Sequence, residues 1–527
     1  MNIIFTDLPE NPHAGGSAAY PYFGRSVARA GFVQAVLRCS RQTRIIVYTP
    51  PSLREEYTAR SHDYLSGERL ELLNAPAIRS TLHDRGPTVI HTMDSSLLAG
   101  LHLRWMCGSQ PWPVLGMTHD LSSMEAYNDL LLTLIGRPTA SDAIVCTTRG
   151  AQSTLMRLLR SAATSLDITP QLCLPIIPLG VDMAAFPSQP RDVSISRGTL
   201  PPHRTRFLYL GRLDHRMKAD LLPLLTAFSE VRSSHPACLV IAGSASGSCD
   251  EDSLVRLRRR ISQLGLDEDV SVRVNITERQ RLDLLCAADV FVSPADSLQE
   301  SFGLVLLEAM ASRLPVIASD WNGYRDIVED QTTGLLIGTA MPLSGLSEVS
   351  RRAPLEDRYG WYEEIGQAVV VDIALLTGAM IALIEDAPRR RQMGEAGHAR
   401  VREHFDWSHV IAQYEQQWTL LTTLSTSNPE PPAPSIYWYD HTQVFYTHPT
   451  RHFTPDAYVR RRALADVASV MVTAPPRFLS SAIIQSILDR LVQPMRIAEL
   501  PLEMSTANRY VAYLLKHGLV ELTTAPG

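Results

Sequence analysis

The sequence predicts an α/β protein built from two doubly wound parallel-sheet domains, followed by a small α+β domain. Three observations carry this. Short runs rich in Val and Ile, such as RIIVYTP (44–50) and ACLVIAGSASG (237–247), alternate with helical segments. That is the pattern of strands covered by helices on both faces. The series occurs twice, with a polar stretch ending in Pro201-Pro202 between the halves, and the Pro-rich segment STSNPEPPAPSI (425–436) sets the remainder apart.

At 527 residues the chain is long for one core and suggests two or three domains. Hydrophobic content of 45% and charged content of 20% describe an ordinary soluble protein, and a formal charge of −6 gives no global pull towards nucleic acid or anionic membrane. The seven cysteines (39, 107, 146, 173, 238, 249 and 286) form no C-x-x-C pair. They read as reduced thiols of a cytoplasmic protein, with neither a disulfide framework nor a zinc site. The start, MNIIFTDLPENP, has too short an apolar run for a signal peptide. The stretch AVVVDIALLTGAMIALI (368–384) is interrupted by Asp372 and is expected to be a buried amphipathic helix, not a membrane span.

In the first half, Asn2 to Asp7 reads as a buried strand, followed by the loop LPENPHAGGSAAY and a helix through about Leu37. Gly15 and Gly16 lie where that strand feeds that helix. They allow either a surface turn or close approach of a ligand to the backbone, and no G-x-G-x-x-G fingerprint supports a dinucleotide. Further strands are expected at 88–92, 114–118, 143–147 and 174–180, with helices at 94–105, 123–135 and 149–160. His119 directly follows the strand VLGMT, a strand-end position open to a structural or a catalytic role.

The second half begins with RFLYLGRLDHRMK. Arg212 and Lys218 fall in the loop after a strand and before a helix, where two cations suit a pyrophosphate. The strand ADVFVSP then leads into DSLQESFGLVLLEAMAS (296–312). A helix is expected to start near Ser301 to Gly303, since LVLLEAMA consists of good helix formers. Its unpaired N–H groups and partial positive charge suit an anion. Glu300 before the helix and Glu308 two turns inside can accept hydrogen bonds from sugar or ribose hydroxyls. The next strand, VIASD, completes a βαβ unit whose strand-end loop is a ligand position in open α/β sheets. The D-x-D at Asp267-Glu268-Asp269 separates a helix from a strand and is read as a turn. Residues 338–366 are polar and irregular, and helices follow at 367–385, 388–404 and 406–422.

Residues 1 to 425 resemble the retaining GT-B glycosyltransferases of family 4, which use nucleotide sugars. The matching pieces, in the family's order, are HAGGSAAY (13–20), THD (118–120), PLGVD (178–182), LGRLDHRMK (210–218), ADVFVSPADSLQESFGLVLLEAMASRLPVIASD (288–320) and TGLLI (333–337). The resemblance implies an N-terminal acceptor-side domain (1–190, completed by the helix 406–424) and a nucleotide-sugar-binding domain (203–405) facing it across a cleft. By position, Arg212 and Lys218 would neutralise the diphosphate of a UDP- or GDP-sugar. Glu308 would hold the ribose, and Glu300, with the backbone of Ser301, Phe302, Gly303 and Leu304, would hold the sugar. His119 would approach from the first domain and Gly16, beside Gly15, would touch the phosphate or the acceptor. The implied catalytic set is Glu300, His119, Arg212 and Lys218, with no metal and no other cofactor; the acceptor stays open between glycan, lipid, small molecule and peptide. The family's G-G-x-x-E appears here as Asn322-Gly323-Tyr324-Arg325-Asp326, and Ala219 follows Lys218 where Gly is usual. The alternatives are a binding or scaffold protein acting through its C-terminal domain, or a peptide- or nucleic-acid-modifying glycosyltransferase guided by that domain.

Residues 437–527 open with the aromatic IYWYDHTQVFY, read as a strand pair. Three short helices and a terminal strand then suggest a winged-helix-like unit. Nine Lys and Arg against seven Asp and Glu make it only weakly basic, so peptide recognition or dimerisation is expected before nucleic-acid binding.

Overall fold

A computed structural model describes residues 1–10, 24–64, 67–82, 86–108, 110–186, 203–245, 248–356, 358–427, 435–436, 441–444, 447, 452–462 and 479–525. Gly15 and Gly16 lie outside the described residues. The first sheet holds β1 (Asn2–Phe5), β2 (Arg44–Tyr48), β3 (Leu70–Leu73), β4 (Thr88–His91), β5 (Val114–Met117) and β6 (Ala143–Val145), in the order β3-β2-β1-β4-β5-β6. All pairings are parallel. The second holds β7 (Thr205–Leu210), β8 (Ala237–Gly243), β9 (Val270–Val274), β10 (Val290–Ser293), β11 (Val316–Ser319) and β12 (Gly334–Ile337), in the order β12-β11-β10-β7-β8-β9. Central strands such as β1, β4 and β10 are buried at every residue, which is why they read as continuous apolar runs. Each sheet has its own core on its helices.

In both sheets the strand order reverses between the first and fourth strands, at β1/β4 and at β7/β10. Such a switch point leaves a crevice outside the carboxyl ends of the two strands. The loops after β7 and β10, which carry Arg212, Lys218 and Glu300, therefore lie side by side. The helix Trp407–Ser427 returns to the first domain and packs on the helix Gly24–Cys39. Phe32 meets Tyr414 at 4.7 Å and Trp407 at 6.3 Å between ring centroids, and Ser40 Oγ donates to Glu415 Oε1 at 2.6 Å.

Several expectations are corrected. The run 174–180 forms no strand, only an isolated bridge from Ile176 to Cys146 just beyond β6, while β3 and its strand pairing were not anticipated. Residues 338–366 are not irregular: they hold the helices Ser347–Arg352 and Arg358–Gly366, with a strand pair Thr339–Ala340 and Val370–Val371 at the base. Polar residues there face solvent while Val349, Ala353, Trp361, Tyr362 and Ile365 bury a small core with Met217. Asp372 does not break a helix but caps the one at Ile373–Glu385, accepting from Leu375 N at 2.9 Å. Among the described residues no helix is long and apolar enough to cross a membrane.

The chain divides into two compact units, Met1–Thr49 with Glu56–Ile436, and Pro50–Glu55 with Tyr437–Gly527. Within the second, Tyr458–Arg461 pairs antiparallel with Met495–Arg496 and with Val520–Thr523. The helices Ser481–Arg490 and Met504–Lys516 close its apolar core. MRIAELPLEM is a two-residue strand and a 3-10 turn where a helix was expected. His441–Val444 is one helical turn where a strand pair was expected; residues 437–440 and 445–446 lie outside the described residues.

Candidate functional site

The loop after β7 is shaped by its own side chains. Asp214, buried, accepts from Arg216 N at 3.0 Å and Met217 N at 3.2 Å through Oδ1, and its carbonyl accepts from Lys218 N at 3.0 Å. This turn directs Lys218 back towards Arg212. Arg212 Nη2 donates to Gln299 Oε1 at 2.7 Å and to Met217 O at 3.3 Å. Lys218 Nζ forms an ion pair with Glu300, both side chains being largely enclosed. The two cations and the carboxylate thus stand together at the β7/β10 switch point.

Gly303 follows in a left-handed conformation (φ 108°), and a Cβ there would lie 2.5 Å from the Tyr324 ring. Only glycine fits both demands. The helix Leu304–Ala311 begins immediately after it, with no side chain capping its N-terminus. Ser301 Oγ donates to His119 O at 2.6 Å, and Thr148 Oγ1 donates to Ser301 O at 3.2 Å, so this loop touches the first domain. The expectation for Phe302 concerns its backbone alone. Its side chain is buried edge-on against Phe405 at 6.5 Å, so only its backbone remains for a ligand. Glu308 is bound to Arg281 on the helix Glu278–Ala287, a partner that sequence reasoning missed. Burial opposes the charge on Arg281, but Glu308 and Glu278 outweigh it and raise its pKa above the usual value.

His119 Nε2 lies 3.1 Å from Met93 O. Desolvation pushes its pKa down to about 4, against the pull of Asp94, so the ring is neutral at pH 7. Asp296, three-dimensionally below the same loop, accepts from Asp220 N at 3.1 and 3.3 Å, and burial pushes its carboxyl up to about 8. Tyr324 is fully buried, with its hydroxyl 2.9 Å from Ser293 Oγ; burial and then the Glu300 charge raise its pKa.

The altered 322–326 segment packs against the Glu300 loop. Asn322 takes φ 41°, a conformation Asn tolerates better than other side chains, and Nδ2 donates to Glu300 O at 2.9 Å. Asp326 accepts from Arg149 N at 2.7 Å and from Arg149 Nε at 2.9 Å, a second tie to the first domain. The pair Asn322-Gly323 was the available signal: Asn suits the left-handed angle, and Gly323, at an ordinary φ, leaves room for Ser301 O. PLGVD proves structural: a Cβ on Gly180 would fall 2.6 Å from the Trp407 ring, and Val181 N donates to Phe405 O at 2.9 Å. At 267–269, Asp269 pairs with Arg204 and Arg232, and Ser262 Oγ donates to Asp267 at 2.6 Å. Among the described residues no three His, Cys, Asp or Glu side chains are grouped to hold a metal ion.

Residues 191–342 match the family model of the glycosyl transferases group 1. The chain is 32% identical over 256 residues to the D-inositol 3-phosphate glycosyltransferase of Xylanimonas cellulosilytica, covering 44% of this chain and 57% of the relative. It is 28% identical over 238 residues to the phosphatidyl-myo-inositol mannosyltransferase of Mycobacterium tuberculosis, covering 45% and 51%. The chain thus spans about half the length of the curated relatives it matches. Among solved structures, Anabaena HepE in complex with UDP aligns with a TM-score of 0.54 at 16% identity, over 80% of this chain and all of that one. Sucrose-phosphate synthase from Thermosynechococcus elongatus aligns with 0.54 at 19% identity, over 80% and 99%. At these identities the likeness establishes the fold, two Rossmann-like parallel-sheet domains of the GT-B type.

Proposed function

We propose that the chain is a glycosyltransferase that moves a hexose from a nucleotide-diphosphate sugar, UDP- or GDP-linked, to a hydroxyl acceptor, with retention and without a metal. The observation that carries this reading is the convergence of Arg212, Lys218 and Glu300 beside an uncapped helix start at a switch point. The match to glycosyl transferases group 1 supports it, as does the UDP bound by a structural neighbour. The names of the curated relatives favour an inositol-like polyol acceptor, free or lipid-linked.

The chemistry follows from charge. Breaking the bond between the sugar's anomeric carbon and the diphosphate leaves negative charge on the departing oxygens. Arg212, Lys218 and the N–H groups opening the helix at Leu304 stabilise that charge. Lys218 exchanges Glu300 for phosphate when donor binds, which frees the Glu300 carboxylate to accept from sugar hydroxyls. The acceptor oxygen bonds to the anomeric carbon on the face the diphosphate leaves, and its proton passes to the leaving phosphate. Glu308, steadied by Arg281, accepts from the ribose hydroxyls. Neutral His119 faces the sugar from the first domain, and domain contacts at Ser301 keep water out.

A screen of UDP- and GDP-hexoses, following nucleotide release with inositol and inositol phosphates as acceptors, tests the proposal. One donor is expected to turn over, with EDTA without effect. Calorimetry showing no binding of UDP or GDP would sink it in favour of a scaffold role.

A further inference from the structure

The sequence VRLRRRISQ places Arg256, Arg259, Arg260 and Gln263 at i, i+3, i+4 and i+7, on one face of the helix Ser248–Gln263. Arg256 and Arg260 are like charges one helical turn apart, an arrangement that weakens an isolated helix. This face lines a groove of about 490 Å³, whose other wall comes from the first turns of the helices Leu222–Arg232 and Ile373–Glu385. Ion pairing neutralises only one member of the cluster: Arg256 lies 3.7 Å from Asp220 Oδ2 and 3.8 Å from Glu363 Oε1. Arg260 Nη2 donates only to the neutral Thr226 Oγ1, at 3.2 Å, and Arg259 is exposed. Among the described residues neither Arg259 nor Arg260 has a carboxylate partner. Asp220, the acidic group on the groove wall, is already engaged: Oδ1 accepts from Leu222 N at 3.0 Å and Oδ2 from Gln367 at 3.3 Å.

We propose that this groove binds a small phosphomonoester, such as a phosphorylated monosaccharide. Guanidinium groups fork onto phosphate oxygens, and Arg259 and Arg260, without carboxylate partners on one face, meet a dianion without needing a metal. Thr226 and Gln263 add neutral partners suited to sugar hydroxyls. The site is separate from the Arg212, Lys218 and Glu300 cluster, so it does not rest on the reading of that cluster. It does border it: Asp220 lies two residues beyond Lys218, and Glu363, near Arg256, pairs with Arg216 of the same loop at 2.9 Å. A phosphate drawn onto Arg256 thereby acts on the loop that carries Lys218.

Titration calorimetry of the full chain with glucose 6-phosphate, and separately with inorganic phosphate, tests this. The expected result is saturable binding that survives K218A and weakens at least about tenfold in R259Q/R260Q, the loss of charge-assisted hydrogen bonds. R259E, altered at an exposed position away from the core, weakens it in the same sense even if the double variant folds poorly. Binding abolished by K218A, binding unchanged in R259E, or no binding at millimolar ligand overturns the proposal.

Discussion

Lys218 and Glu300, 82 residues apart in sequence, form an ion pair between the loops that leave two adjacent parallel strands. Each carries a proposed role towards substrate, so in the absence of substrate they occupy one another. The pair is largely enclosed, and removing one partner strands the other's charge. K218M is expected to lose roughly 3 kcal/mol of stability, and K218M/E300Q much less than the sum of K218M and E300Q. Urea unfolding of the four proteins in a double-mutant cycle measures this. Additive losses would mean the pair does not form in solution.

The same residues bear on turnover. K218A and E300Q are expected to lower kcat by roughly a hundredfold, the scale of deleting one preorganised electrostatic contact. Donor hydrolysis followed at saturating nucleotide sugar reads it, and wild-type rates in both variants would remove these residues from the chemistry.

Arg281 holds Glu308 in place. In R281L the Glu308 carboxylate loses that hold, so UDP is expected to bind more weakly. Its preference over 2′-deoxy-UDP should shrink if Glu308 reads the ribose. An unchanged preference with weaker binding of both nucleotides would confine Arg281 to a structural role.

Gly323 sits where the two Rossmann-like domains touch. A Cβ there would fall 2.2 Å from Ser301 O and 2.7 Å from Thr148 Cγ2. G323A therefore wedges the contact apart and is expected to raise the donor KM. The radius of gyration in small-angle scattering should rise with it. If neither moves, the contact does not shape donor binding.

Asp296 gives a pH signature. Folding raises its pKa from 3.8 to about 8, so the folded chain keeps a proton that the unfolded chain has released. This contribution to stability is full below pH 4 and is lost as pH rises towards 8, with a limiting slope of about 1.4 kcal/mol per pH unit. D296N cannot ionise, so its stability relative to wild type should improve steadily across that window. Parallel stability curves from pH 5 to 8 would contradict it.

The sequence by itself determined the central strands, because residues buried on both faces must be apolar without a break; it missed the partly exposed β3 and overcalled 174–180. It also marked the chemistry-bearing side chains, since Arg212, Lys218, Glu300 and Glu308 stand at strand ends and helix starts that local pattern reveals. The partners of those side chains were not legible. Arg281 on Glu308, Asn322 on the Glu300 carbonyl and Arg149 on Asp326 are pairings between distant segments, and only strand order brings them together. The packing of the Phe302 ring against Phe405 was not legible either, because it joins residues about a hundred positions apart. The 338–366 insertion looked irregular because its helices are short and its apolar residues few. Its small core forms only against Met217, which tertiary structure supplies. Local chemistry selects the residues that a site can use, while burial and strand order decide which of them meet.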